Sequence, residues 1–105
     1  MGIGKQRLTQ MLFNIMAKIY KVNGEILNIE PKNGSDFSLE ELQGVVRGYI
    51  EILPLNNDDI IVMNEEGKCE NLGINLMATS LMLCAGYRHD FIVGDVLVCR
   101  SDEVK

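Results

Sequence analysis

Hydrophobic and polar residues follow two periods along this chain, first that of a helix and then that of strands. Residues 8–15 repeat apolar positions at i, i+3, i+4 and i+7, which predicts one face of a helix: Leu8, Met11, Leu12 and Ile15. From Lys18 the period becomes that of a strand. Two apolar segments, 19–22 and 26–29, flank Asn23-Gly24, a dipeptide that favours a type I′ hairpin turn.

A helix is predicted to begin at Ser38. Ser38 and Glu41 have the spacing of a capping box, and Phe37 and Leu42 have the spacing of a hydrophobic staple. Gly48 is expected to end this helix as the residue that follows its C-cap.

Four further elements are predicted after this helix. Strands over 49–55 and 60–63 flank a polar turn, and a tight turn over 64–68 has Gly67 as its expected positive-φ residue. A second helix begins after Asn75 and ends at Gly86. The last strand spans 91–99, and the polar residues 101–105 are expected to fray.

This order of elements predicts an α+β fold, because strands joined by short turns pair antiparallel and leave the helices to cover the sheet. We expect a mostly antiparallel sheet of about five strands with two helices packed on one face. The chain then divides into an N-terminal helical extension (1–15), a single α+β domain (16–100) and a polar tail (101–105). The extension either packs on the domain or on a partner, or it is optional and the true start is Met16.

Charge is distributed unevenly along the chain. Residues 1–24 carry four basic and no acidic residues, whereas residues 25–105 carry six basic and 15 acidic residues, so that the net charge of −5 hides a strongly acidic body. Such a body repels a polyphosphate backbone, which disfavours direct nucleic-acid binding by the main domain. It favours docking onto a basic protein surface.

Localisation is predicted from two absences and from the cysteines. No segment reaches the roughly 20 apolar residues of a membrane span, and no secretory signal is recognisable. Cys69, Cys84 and Cys99 are odd in number and widely spaced, which is typical of free thiols in a reducing compartment. We therefore expect a cytoplasmic protein without disulfides, without a metal site and without membrane contact.

No catalytic set is recognisable, and we expect a protein without enzymatic activity or cofactor. Glu65-Glu66 is expected to be an exposed turn pair, and His89 has no nucleophile and orienting acid at a suitable spacing. Polar or glycine residues at the ends of elements nevertheless suggest a shallow ligand pocket: Gly48, Tyr49, Asn64, Glu65, Glu66 and Asn75. Turn and capping chemistry also explains each of them without a ligand.

Four segments of the chain together resemble one family. They are 48–55, 64–68, 75–78 and 90–96, and the Asn23-Gly24 hairpin and the helix beginning near Leu39 fit as well. The family is domain of unknown function 3846, and the resemblance covers about residues 17–99. The chain departs from it at Gly73-Ile74, where such proteins often have a proline. The resemblance implies an accessory protein of a phage, prophage or other mobile element, and it brings no activity and no catalytic residues.

Two hypotheses of function follow. The first is a non-enzymatic binding protein that contacts a host or element protein through its acidic surface, as a stoichiometric inhibitor of host defence. The second is a protein that binds or sequesters a small nucleotide-like ligand, with phosphate contacts from Arg47, Lys68, Arg88 or Arg100. A homodimer through an edge strand or through the first helix is compatible with either.

Overall fold

A five-stranded antiparallel sheet forms the centre of residues 17–104, the residues that the computed structural model describes. Its strands are β1 (Lys18–Tyr20), β2 (Ile26–Asn28), β3 (Ile50–Pro54), β4 (Asp59–Asn64) and β5 (Val96–Arg100). The strand order is β2-β1-β5-β4-β3, so the last strand of the chain lies in the middle of the sheet. Two helices, α1 (Leu39–Val46) and α2 (Leu76–Cys84), and a 3-10 turn (Ser101–Glu103) complete the elements.

The predicted α+β class, the five antiparallel strands and the two helices are confirmed. The helix predicted for residues 1–15 lies outside the described residues. Among the helices of residues 17–104, none has the length and apolar composition that crossing a membrane requires.

The two helices pack on opposite faces of the sheet, which corrects the prediction that both lie on one face. Side chains alternate between the faces along a strand. Val62 and Leu97 join α1 in one core cluster, whereas Ile61 and Val96 join α2 in the other. Because β4 and β5 are apolar at consecutive positions, both faces of the sheet centre exclude water, and each requires a helix to cover it.

Helix α1 begins as predicted, and Gly48 follows its C-cap as predicted, but the left-handed residue is Arg47 and not Gly48. Ser38 Oγ accepts a hydrogen bond from the Glu41 N–H at 3.2 Å, and the Glu41 carboxylate accepts one from the Ser38 N–H at 2.9 Å, which completes the capping box. At the other end, Arg47 adopts the left-handed conformation, with φ of 62°. Gly48 is therefore not the left-handed residue at this helix end, and its lack of a side chain has a different structural reason.

Turn geometry differs from the prediction at two glycines. In Asn23-Gly24 only Gly24 has a positive φ, 95°, and a type I′ turn needs two such residues. The loop is instead a longer hairpin loop that ends in a left-handed glycine. Gly67 lies outside the left-handed region, and a Cβ on it would lie 2.7 Å from Val93 Cγ2, so close packing explains this glycine.

Residues 101–104, the described part of the predicted polar tail, belong to the fold and do not fray. The Phe37 N–H donates to the Glu103 carbonyl at 2.6 Å, and Val104 forms a parallel bridge with Phe37. The Glu103 carboxylate accepts a hydrogen bond from the Arg100 N–H at 2.9 Å, which turns the chain after β5. The last strand itself begins at Val96 rather than at residue 91, because the chain bends at Gly94, whose φ is 80°.

Candidate functional site

A cleft of about 450 Å³ opens on the α2 side of the sheet, beside the edge strand β3. Its floor is apolar and consists of Leu53 and Met63 from the sheet, Met82 from α2, and Ile92 and Val93. Its rim carries two aromatic and five charged residues: Tyr87, Phe91, Glu51, Glu65, Lys68, Arg88 and Asp90. This volume and this apolar floor are typical of sites that bind small molecules or single side chains.

The walls of the cleft are held in place by specific hydrogen bonds. The Tyr87 hydroxyl donates to the Pro54 carbonyl at 2.7 Å, which ties the segment after α2 to the edge strand. The Ile92 N–H donates to Thr79 Oγ1 at 2.9 Å, and the Ile92 carbonyl accepts from the Asn75 N–H at 2.8 Å. The loop after α2 is thus attached both to β3 and to α2, and these hydrogen bonds fix the concave shape of the cleft.

An ion pair lies across one end of the cleft. Lys68 Nζ donates to Asp90 Oδ1 and lies 4.4 Å from the centre of the Phe91 ring. The hydrogen bond from Lys68, together with that from the Phe91 N–H, holds the pKa of Asp90 below its usual value. The charge of Lys68 is therefore already matched by a carboxylate and by an aromatic face.

Three other charged residues of the rim have no ionic partner in the part of the chain that the structure describes. Glu51 lies opposite Met63 in the β3–β4 pairing, and the Glu65 N–H donates to the Tyr49 carbonyl at 2.9 Å, which continues that pairing beyond β4. Strand alternation places Glu51, Met63 and Glu65 on the same face. Two unpaired carboxylates thus flank one apolar side chain, with Arg88 elsewhere on the rim.

Asn64 lines the cleft but serves the fold. Its Nδ2 donates to the Val46 carbonyl at 3.0 Å, and its Oδ1 accepts from the Glu66 N–H at 2.7 Å. It is only 6 % exposed, and a Cβ on Gly48 would lie 2.7 Å from its Nδ2. Gly48 is therefore the residue that allows this side chain to cap the end of α1.

Asn75 forms a second buried network, at the start of α2. Its Oδ1 accepts from the Ala78 N–H at 3.0 Å, and its Nδ2 donates to the carbonyls of Tyr20 and Gly94, at 2.8 and 2.9 Å. It is 1 % exposed and is not part of the cleft lining. Both amide hydrogens and the oxygen of its side chain have partners within the fold, so it serves the fold and not a ligand in the cleft.

The predicted site residues therefore divide. Gly48, Tyr49, Asn64, Glu65 and Glu66 are brought together by the contacts described above, whereas Asn75 belongs to its own network. Only Asn64 and Glu65 line the cleft, and only Glu65 has a free polar side chain there. Tyr49 is 65 % exposed, and its carbonyl rather than its ring takes part in this arrangement.

Comparison with known proteins identifies the family. The sequence model of domain of unknown function 3846 (DUF3846) matches residues 18–105. The chain belongs to the DUF3846 family. No curated protein and no solved structure matches it.

The four basic residues predicted to contact a phosphate do not converge in this DUF3846 protein. Lys68 and Arg88 line the cleft. Arg47 lies on an open groove of about 470 Å³ beside α1, and Arg100 on a smaller cavity of about 180 Å³ that also includes Asp59, whose pKa is raised by burial. Any phosphate in the cleft would be limited to Lys68 and Arg88, and Lys68 is already paired with Asp90.

Sequence reasoning missed most of the lining of the cleft. The apolar pattern of its floor does not differ from that of ordinary buried positions, Tyr87 lies between predicted elements, and Phe91 is predicted to begin the last strand rather than to line a cleft. One signal was present: Glu51 and Leu53 alternate with Ile50 and Ile52, which predicts a face of β3 that combines a carboxylate with an apolar side chain. The contribution of the loop after α2 depends on contacts distant in sequence and could not be predicted.

The cysteines of the DUF3846 protein are all free thiols. Cys99 is buried in the core cluster between the sheet and α1, and this burial raises the pKa of its thiol to about 12. Cys84 is exposed, and so is Cys69, which lines the cleft. Within residues 17–104, no three His, Cys, Asp or Glu side chains are grouped so that they could hold a metal ion.

Proposed function

We propose that this DUF3846 protein is a non-enzymatic binding protein whose cleft receives a basic side chain from a partner protein. The observation that carries the proposal is the pair of carboxylates, Glu51 and Glu65, that lie beside the apolar floor of the cleft and have no ionic partner within residues 17–104. Unpaired charges at the edge of an apolar cavity favour a ligand that combines the opposite charge with an apolar stem.

A lysine or arginine side chain has this composition. Its methylene groups can lie against Met63 and Leu53 while its cationic head donates hydrogen bonds to the two carboxylates. Arginine suits two separated carboxylates best, because its planar guanidinium has five donors. A cleft of about 450 Å³ also has room for residues on either side of the inserted one.

The charge of the whole chain supports the same partner class. Residues 25–105 carry 15 acidic and six basic residues, so a basic protein surface is attracted before contact is made. In this proposal the protein acts by stoichiometric contact with a host or element protein, the kind of partner that an accessory protein of a mobile element would have. By binding a basic surface of that partner, it would keep the partner from using the same surface for another ligand.

A nucleotide-like ligand is the second candidate, because Arg88 and Lys68 line the same cleft as the rings of Tyr87 and Phe91. Rings of this kind stack on bases, and arginine binds phosphate. Two observations favour the basic partner instead: Lys68 is neutralised by Asp90, and a phosphate would approach the carboxylates Glu51 and Glu65.

Fluorescence anisotropy with two labelled peptides tests the proposal. The first has one arginine flanked by glycine and alanine, and the second has citrulline, which is uncharged, in the same place. We expect the arginine peptide to bind more tightly, and its affinity to fall as salt screens the charges. Glu51→Gln and Glu65→Gln should each weaken it about fivefold, corresponding to about 1 kcal/mol.

Glu40→Gln, at an exposed position of α1 away from the cleft, is the matched control and should leave the affinity unchanged. Equal affinity for the citrulline peptide would contradict the proposal. Binding of adenosine monophosphate that Arg88→Gln abolishes and Glu51→Gln strengthens would establish the nucleotide instead.

A further inference from the structure

The outer face of α2 is exposed and apolar. The residues of this face, which we call the α2 outer face, are Leu76, Met77, Ser80, Leu83 and Cys84. They fall within roughly a third of the helix circumference. Leu76 is 75 % exposed and Leu83 is 49 % exposed. A surface helix normally presents charged and polar residues to solvent, so this face lacks the usual solvated pattern.

Charge is absent from the face and from the chain on both sides of it. Residues 71–87, 17 in number, contain no Asp, Glu, Lys or Arg, although 24 % of the whole chain is charged. The polar group of Ser80 is satisfied within the helix, because its hydroxyl donates to the Leu76 carbonyl at 2.9 Å. The face therefore offers a charged partner no ion-pairing group and no strong hydrogen-bond donor, only the weak S–H donor of Cys84.

We infer that the α2 outer face binds the same face of a second copy of this chain. In a two-fold symmetric contact a patch meets itself, so any patch with net charge repels its own copy. Surfaces of the acidic body that carry carboxylates would repel the same surface of a second copy, whereas the α2 outer face carries no charge and is not repelled in this way. Two apolar faces of this kind bury each other without leaving a charge unpaired.

The helix geometry suits such a contact. Ser80 lies at the middle of the face, and its small side chain lets two helices approach closely around it, with Leu76 and Leu83 packing on either side. Met82, the α2 residue of the cleft floor, is buried and points towards the sheet. The dimer would therefore leave the cleft open, and the inference stands independently of the proposed function.

Sedimentation velocity of the full chain over increasing concentration tests this inference. We expect a reversible dimer, and we expect Leu76→Glu and Leu83→Glu each to give a monomer that still unfolds in one cooperative thermal transition. Leu39→Glu is the matched control, because Leu39 is a 56 % exposed leucine on α1, and this variant should remain dimeric. A wild-type chain that stays monomeric, or a folded Leu83→Glu variant that stays dimeric, would overturn the inference.

Cross-linking adds a readout that does not depend on the glutamate variants. Ser80→Cys in a background with Cys69→Ser and Cys84→Ser should form an intermolecular disulfide on copper-catalysed air oxidation, because Ser80 lies near the symmetry axis. Asn56→Cys in the same background, in the exposed turn before β4, should not. Equal cross-linking of the two variants would also contradict the proposed contact.

Discussion

At the scale of single residues, the polar side chains most prominent in the sequence serve the fold. Asn64 and Asn75 are buried, and the side-chain nitrogen and oxygen of each are hydrogen-bonded within the fold, whereas Glu51 and Arg88 line the cleft without an ionic partner among the described residues. Capping by Asn75 could be predicted, because it depends on a residue three positions later. The bond from Asn64 to Val46 spans 18 residues and has no local sequence signal.

The buried asparagines should therefore matter for stability. Asn75→Ala removes the α2 cap and takes the donor from one buried and one part-buried carbonyl, so we expect the free energy of unfolding to fall by about 2–4 kcal/mol. Urea denaturation measures this change. Asn56→Ala, at an exposed turn position, is the control and should change it by less than about 0.5 kcal/mol. A small effect of Asn75→Ala would show that the network is dispensable.

Two glycines should respond in opposite directions to the same added methyl group. A Cβ on Gly44 meets nothing within 4 Å, and Gly44 lies inside α1, so Gly44→Ala should stabilise the protein by about 0.5–1 kcal/mol. Gly48→Ala should destabilise it by about 1–3 kcal/mol, because the new Cβ displaces Asn64 from the end of α1. Thermal and urea unfolding of the pair test this contrast, and a stable Gly48→Ala variant would refute the packing explanation.

At the scale of elements, the pattern of apolar and polar residues predicts which segments form helices and strands, but it predicts less well on which face of the sheet each helix packs. The capping box of α1 and the glycine that ends α2 follow from local sequence. The placement of the helices on opposite faces follows from the consecutive apolar residues of β4 and β5, a pattern that indicates burial on both sides. The hairpin-rich order of elements predicts helices on one face only, and this prediction is wrong because the order of elements does not show which strands are buried on both sides.

The capping box of α1 predicts a specific dependence of stability on pH. The backbone N–H groups of Ser38 and Lys32 lower the pKa of Glu41 below 4.5. Its contribution is therefore complete above pH 4.5 and is lost as the pH falls through the lowered pKa of the folded state. Glu41→Gln should be less stable than wild type at neutral pH, and the difference should shrink in acid.

Unfolding midpoints measured across the acid range test this prediction. Glu40→Gln, in the same first turn of α1, is the control, because no bond to a backbone N–H is found for its side chain among the described residues. A difference between wild type and Glu41→Gln that stays constant down to low pH would mean that the charge of Glu41 does not contribute.

At the scale of the whole molecule, the fold places one acidic cleft on an acidic protein. The sheet edge, the end of α2 and the loop after it meet at the cleft, although they are far apart in sequence. The acidic balance of the chain could be predicted from composition, but the pairing of Lys68 with Asp90 could not. Among the described residues it leaves Glu51, Glu65 and Arg88 without an ionic partner on the rim, two negative charges against one positive charge. Because of this pairing, we expect the cleft to favour a positively charged ligand.

The most direct test of the central claim is an NMR titration of the uniformly labelled protein with the arginine peptide. We predict that amide shifts concentrate at Glu51, Met63, Glu65 and Tyr87, and that the citrulline peptide leaves these amides unchanged. Shifts concentrated instead at the open groove beside α1 or at the α2 outer face, or equal shifts with both peptides, would contradict the account of the cleft as a site for a basic side chain.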